Sequence, residues 1–394
     1  MPGSVIIGGA RTPIGKLLGA LSGLPAPQLG AAAIAAAVRR AGIAADQVNA
    51  VVMGTVVQAG VGPNPARQAA HAAGLPLHVP ATTVNKLCLS GLHAVALADL
   101  LVTAGQHDVV VAGGMESMSL APHLLPGARR GFRYGAADMT DSLDVDALVC
   151  AFDGMPMGAA TERYQAALGI SRQEQDAFAA RSHRLAAEAA AAGRLAEEIV
   201  PVAVPARGGE VTVRTDEGVR PDTTEESLAR LRPAFSTDGT ITAGSASQLS
   251  DGACALVVTS REHAERLGVE PLAEIGAYGS VAGPDPSLLP QPANAVRDAL
   301  SRSGGLTPAD LDLLEINEAF ASVAVQSVHD LGVDPDRVNV NGGAIALGHP
   351  VGMSGARLIL SLALELRRRG GGTGVAALCG GGGQGDALLL RALS

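Results

Sequence analysis

The sequence predicts an α/β protein built from two copies of one α/β unit, with a further segment inserted into the first copy. Two observations carry this. Short apolar runs alternate with longer Ala/Leu-rich stretches, and a spacing of motifs recurs at the two ends of the chain. The runs fall at residues 5–7, 48–52, 109–112, 256–258, 313–316, 375–378 and 388–390. Runs this short, separated by helical patterns, read as strands of largely buried sheets. In the first unit Gly54 closes a strand, Ser90-Gly91 opens a helix and Gly113-Gly114 follows the next strand. In the second unit Asn317, Ser354-Gly355 and Gly380-Gly381 take those places. Gly54 and Gly91 lie 37 residues apart, and Asn317 and Gly355 lie 38 apart, which duplication explains most simply.

The rhythm breaks over residues 119–249, a stretch rich in Pro, Gly and charge. Domains are therefore expected at 1–268, including this insertion, and at 269–394. The insertion holds one well-marked helix: Ser171 and Glu174 form a capping box and Gly193 closes it. Arg207, Arg214, Arg220, Arg230 and Arg232 follow. They suit phosphate contacts or, equally, a solvated basic surface.

Composition excludes several functions. With 394 residues, 47% hydrophobic and 17% charged, the chain can bury a large core. Aromatics make up 2% and Trp is absent, so the core must consist of small aliphatics and no stacking platform for single strands can be built. A formal charge of -9 argues against a duplex-binding surface, so no nucleic acid partner is expected. Cys88, Cys150, Cys254 and Cys379 lie far apart without a C-x-x-C pair, which suggests neither zinc nor disulfides. No apolar run approaches the roughly 20 residues of a membrane span. Met1-Pro2-Gly3 leads straight into a strand without signal-peptide features. A cytoplasmic protein with reduced thiols and no membrane partner is the expectation.

Four polar positions could carry chemistry. Cys88 stands at the mouth of a helical pattern, where free N–H groups and the helix dipole would lower its pKa and favour thiolate. Taken alone, such a cysteine is more often a small core residue. His349 lies in the glycine-bearing loop of residues 339–350, before the helix that matches the one Cys88 begins, with Pro350 placed to start that helix. If the units face each other, the two could form an activated pair; a lone loop histidine would be structural or exposed. Cys379 ends a strand and precedes Gly380-Gly381-Gly382-Gly383-Gln384-Gly385. This formally matches a dinucleotide fingerprint but runs into a last strand instead of a helix, so it reads as backbone N–H groups beside a thiol, suited to an oxyanion. Asn317-Glu318-Ala319-Phe320 sits at a strand's carboxyl end, where α/β sheets collect ligands. Cys150 and Cys254 read as core.

Together these blocks resemble the thiolases. The likeness runs from Ala10-Arg11-Thr12-Pro13 to Gly385, through residues 85–91, Gly113-Gly114-Met115-Glu116-Ser117-Met118, Asn317-Glu318-Ala319-Phe320, residues 339–355 and the glycine run after Cys379. The resemblance implies a duplicated thiolase fold in αβαβα layers, with an inserted loop domain for coenzyme A, assembled as a homodimer or homotetramer. It implies that Cys88 takes the acyl group, His349 activates it, Cys379 moves the α-proton of a second thioester and Asn317 orders a water. The N–H groups of Cys88 and Gly381 would form an oxyanion hole. By position Ser247, Arg220, Met157 and Phe235 answer to residues near coenzyme A, which with acyl-CoA is substrate; no tightly bound cofactor or metal is implied. The expected reaction is condensation of two acetyl-CoA to acetoacetyl-CoA, or its reverse, with a longer-chain degradative thiolase as the alternative. Leu89, His93, Pro156 and the stretch 284–292 depart from the common pattern, the last two near the acyl chain. A carrier-protein synthase of related fold would use Cys-His-His, against Cys379. A non-catalytic carrier or scaffold would be expected to lack one of the four reacting groups.

Overall fold

The strand order displays the duplication directly. In the computed structural model, which describes residues 3–392, the first half supplies β1 (Ser4–Arg11), β2 (Ala50–Gly54), β3 (Ala81–Val84), β4 (Val109–Ser117) and β5 (Ser250–Ser260). The second supplies β6 (Ala273–Ala282), β7 (Leu313–Ile316), β8 (Gly372–Gly380) and β9 (Gln384–Ala392). Their order in space is β7-β8-β9-β6-β1-β5-β4-β2-β3, with the short strand Gly15–Lys16 on β5. Reading outward from the centre gives β1-β5-β4-β2 on one side and β6-β9-β8-β7 on the other. In each series the last two strands pair in parallel and the others antiparallel. The halves join edge to edge through Val5↔Glu274 and Ile6↔Ala273.

The main helices are α1 (Ala26–Arg40), α2 (Pro65–Ala72), α3 (Ser90–Thr103), α4 (Met157–Gln165), α5 (Arg172–Ala191), α6 (Gln291–Ser301), α7 (Ala321–Leu331) and α8 (Ser354–Arg368). α1 and α2 cover the outer face of the first half, and α6 with α7 that of the second. α3 and α8 pack on each other between the halves, each touching strands of both. The result is five layers, αβαβα. The central position explains why α8 is buried nearly all round, Leu358, Ile359, Leu360, Leu362, Ala363 and Leu366 together with Arg357 and Glu365.

The two central helices begin almost in contact. A Cβ at Gly91 would lie 2.8 Å from the Gly352 carbonyl oxygen and 2.9 Å from the Ala356 nitrogen; one at Gly355 would strike the Leu92 nitrogen. These are the paired glycines of the repeat. Gly113-Gly114, expected to follow a strand, instead lie inside β4, because the carbonyls of Cys254 and Gly352 press against them where side chains would go.

Residues 118–249 connect β4 to β5. Ser171 caps α5 as expected, its hydroxyl accepting the Glu174 N–H at 3.2 Å while the Glu174 carboxylate accepts the Ser171 N–H at 2.8 Å, and Gly193 is left-handed at φ 77°. The apolar side chains here share cores with the halves: Phe178, Leu228 and Ile241 pack with Phe320, Val323 and Cys379, and Val202 and Val204 join the cluster of Leu29 and Val257. No helix among the described residues is long and apolar enough to cross a membrane. Met1, Pro2 and Ser394, on which expectations about the chain ends touched, lie outside the described residues.

Gly355→Ala should cost about 3 kcal/mol through overpacking and lower the thermal midpoint. Gly23→Ala, where a Cβ meets nothing within 4 Å, should leave it unchanged. Equal midpoints for the two variants would contradict the close helix contact.

Candidate active site

Cys88 belongs to the five-residue loop from β3 to α3, and the loop is tightly tied. Leu87 adopts φ 54°, a left-handed conformation uncommon for a branched side chain. Its N–H donates to Asn85 Oδ1 at 3.0 Å, and its carbonyl accepts from Ser90 Oγ at 2.6 Å. The Lys86 N–H donates to the same Ser90 hydroxyl at 2.8 Å. The half-buried Cys88 side chain opens onto a cavity of about 310 Å³.

The thiol is not the preformed thiolate that its place before a helix suggested. Burial pushes it up to about 11, with a smaller push from the charge of Glu116. The backbone N–H groups of Cys88 and Gly381 both reach the sulphur and pull the other way, without winning. Desolvation of a charged sulphur outweighs the dipole here. The thiol therefore needs a base.

His349 lines the same cavity and is 6% exposed. Burial, then the charge of Arg357, lower its pKa to about 3, so the imidazole is neutral and able to accept a proton. Nδ1 lies 2.6 Å from Ser354 Oγ, which also reaches the Pro350 carbonyl at 3.0 Å. With its proton on Pro350, the hydroxyl accepts Nδ1–H and leaves Nε2 as base; turned to Nδ1, it favours Nε2–H. One rotation of Ser354 thus serves either tautomer. Pro350 does not start the helix as expected: its carbonyl takes the N–H groups of Met353 and Ser354 in a turn, and α8 begins four residues later, at Ser354. The glycine loop also holds a short helix, Ala344–Leu347.

Cys379 is interior to β8, one residue from its end, and 1% exposed. Burial, and then its neighbour Cys88, hold its thiol well above the ordinary range. β8 and β9 form a hairpin, pairing Cys379 with Gly385 and Gly380 with Gln384. Gly382 and Gly383 turn it with φ 77° and 71°, leaving the Gly381 N–H directed at Cys88. Asn317 follows β7 behind His349, fully buried, with Nδ2 3.4 Å from Nε2. Its Oδ1 has no protein partner, an unused acceptor beside the histidine.

Of the residues expected near coenzyme A, Met157, Phe235 and Ser247 line the cavity with Cys88, His349 and Cys379. Phe235 meets the ring of Phe320 edge-on at 5.8 Å. Arg220 stands outside that lining and is exposed, its N–H donating to His183 Nδ1 at 3.1 Å. Pro156 is part of the wall. Cys150 and Cys254 are buried away from it.

Sequence reasoning missed Ser354 and the work of Glu116. The Glu116 carboxylate accepts the N–H groups of Val56, Val57 and Gly352 at 3.0, 3.1 and 2.9 Å, pinning the turn after His349 to β4. Burial raises it to about 7. Backbone N–H groups gathered on one buried carboxylate leave no sequence signal beyond a charge in an apolar strand.

Residues 4–262 match the family described as thiolase, N-terminal domain, and residues 269–392 match thiolase, C-terminal domain. A probable acetyl-CoA acetyltransferase of Mycolicibacterium smegmatis is 57% identical over 388 residues, spanning 98% of this chain and 100% of that one. Another, of Mycobacterium tuberculosis, is 56% identical over 393 residues and 100% of both chains. The acetyl-CoA acetyltransferase of Cupriavidus necator is 50% identical over 389 residues, 98% of each.

Alkylation of Cys88 by iodoacetamide in the ligand-free protein should rise about tenfold per pH unit to about pH 10, as the thiolate fraction grows, with no step between about pH 5 and 8 from a histidine already neutral. A plateau by about pH 8 would contradict the raised thiol.

Proposed function

The chain belongs to the thiolase family, and from that membership and the chemistry of the cavity we propose that it is an acetyl-CoA C-acetyltransferase, joining two acetyl-CoA into acetoacetyl-CoA and CoA, reversibly, through an acyl-cysteine. The observation that carries this is the meeting of two thiols and a neutral imidazole in one cavity. Cys88 attacks the first thioester as its proton passes to His349 Nε2, and Cys379 gives its own proton to the departing CoA sulphur, which leaves His349 as imidazolium and Cys379 as thiolate. The acetyl carbonyl then lies against the N–H groups of Cys88 and Gly381.

The second half-reaction needs a base for a weakly acidic α-proton. A raised pKa makes the Cys379 thiolate rarer but more basic, which suits that proton. The enolate oxygen takes hydrogen bonds from His349, now as Nε2–H, and from a water held by Asn317. The enolate carbon attacks the acetyl carbonyl, and Cys88 departs as thiolate and takes its proton back from His349 Nε2. Ping-pong kinetics follow from the covalent intermediate. In this reading Met157, Phe235 and Ser247 hold the pantetheine arm, and Arg220, exposed outside the cavity lining, takes a phosphate. CoA and its thioesters are substrates, and no bound cofactor enters the scheme.

A degradative thiolase of broader chain length is the alternative, favoured by the apolar wall of Met118, Leu148, Leu249, Leu288 and Val351. A carrier or scaffold without catalysis is disfavoured by the presence of all four reacting groups. We read the protein as a homodimer or homotetramer, a reading supported by β3, whose outer edge is unpaired among the described residues. The four free cysteines suit a reducing cytoplasm.

Thiolysis of acetoacetyl-CoA should fall about 10³-fold or more in Cys88→Ala and in Cys379→Ala, and rates across longer 3-oxoacyl-CoA substrates should be lower than with acetoacetyl-CoA. Parental rates in either variant would defeat the assigned roles, and a faster longer chain would select the degradative alternative.

A further inference from the structure

The two N–H groups that converge on Cys88 come from different halves of the molecule. One belongs to the loop before α3 and the other to the β8–β9 turn, so the distance between them is not set by any one strand pair. Lys86, two residues before Cys88, reaches across this gap. Its Nζ donates to both carboxylate oxygens of Asp386 on β9, at 2.7 and 3.0 Å, to Ser280 Oγ at 3.0 Å and to Tyr278 OH at 3.2 Å, the last two on β6. The Asp386 side chain is fully buried and that of Lys86 is 20% exposed. His93 of α3 closes the cluster, with Nδ1 3.0 Å from the Tyr278 hydroxyl and 3.9 Å from Asp386 Oδ2.

Both ends of this ion pair are anchored next to a donor. Asp386 follows Gly385, the residue paired with Cys379, so its carboxylate is fixed to the rungs that hold the Gly381 turn. Lys86 precedes Leu87, whose left-handed backbone aims the Cys88 N–H. We propose that Lys86 and Asp386 are positioning residues that set the spacing of the Cys88 and Gly381 N–H groups, and with it the oxyanion hole over the acyl-cysteine. This rests on the acyl-cysteine reading above. Loss of one oxyanion donor costs about 10² to 10³ in rate, and a misplacement of about 1 Å can cost about 10². A strut between the donors therefore acts on rate beyond its contribution to stability.

The test uses the full chain and p-nitrophenyl acetate, a small activated ester that acylates Cys88 without coenzyme A binding. Burst release of nitrophenolate reads acylation, and iodoacetamide reads thiolate formation, which burial governs and the two N–H groups assist only as lesser contributors. Lys86→Met and Asp386→Asn should acylate about 10- to 100-fold more slowly than the parent while alkylating within about threefold of it. The double variant should be no slower than the slower single one, since both remove one interaction. Lys86→Arg, which keeps the charge, should restore acylation to within about fivefold of the parent. Should Asp386→Asn fail to fold, the Lys86→Met and Lys86→Arg pair decides alone. Parental acylation in Lys86→Met, equal falls in acylation and alkylation, or a parent that shows no burst would each overturn the proposal. Acetyl-CoA run beside the ester separates the two claims: a parent acylated by the ester but not by acetyl-CoA defeats the functional reading, while the variant series still decides the positioning.

Discussion

The active site depends on two helices that start nearly in contact. α3 and α8 can do so because Gly91 and Gly355 carry no side chain where their first turns cross. From that crossing, the loop entering α3 delivers Cys88 and the loop entering α8 delivers His349, each from its own copy of the unit. Neither helix start is capped by a side chain, so the positive ends of both dipoles stand beside the place where negative charge develops. The pairing of β8 with β9 then brings Cys379 and Gly381 to the same point.

Inside this enclosure the reacting groups rest neutral. Burial raises both thiols and lowers the imidazole, which opposes an ion pair between Cys88 and His349 before substrate arrives. Charge appears only as bonds change, and fixed N–H groups await it without needing to reorient. Ser354 supports the histidine from the other side, its hydroxyl accepting from Nδ1–H while Nε2 takes up the Cys88 proton. Glu116 and the pair Lys86 and Asp386 hold the surrounding loops, because one carboxylate or ammonium can gather several hydrogen bonds at a junction.

Much of this was legible in the chain. The short apolar runs mark the strands, and the recurrent spacing of Gly91 and Gly355 marks the duplication, since close backbone approach leaves a glycine that can be read. Cys88, His349, Asn317 and Cys379 stood out by their place at strand ends and helix starts. The ionisation of Cys88 did not: its neighbours in sequence point to a helix dipole, whereas the burial that decides its pKa comes from residues brought in by the fold, such as Val56, Met118 and Val351. Gly113-Gly114 misled because a glycine that admits a neighbouring backbone inside a strand looks the same as one that ends it. Ser354 and Asp386 were invisible as functional residues for a similar reason, their partners being set by tertiary contact.

The division of labour between the two thiols is the central claim, and one experiment in D2O addresses it. The parent and Cys379→Ala are incubated with acetyl-CoA, peptides are mapped for acetylation, and the acetyl-CoA methyl group is followed for deuterium. The account expects acetyl on the Cys88 peptide of both proteins, and deuterium in the methyl group with the parent alone. Acetyl on Cys379, or undiminished exchange in Cys379→Ala, would contradict it.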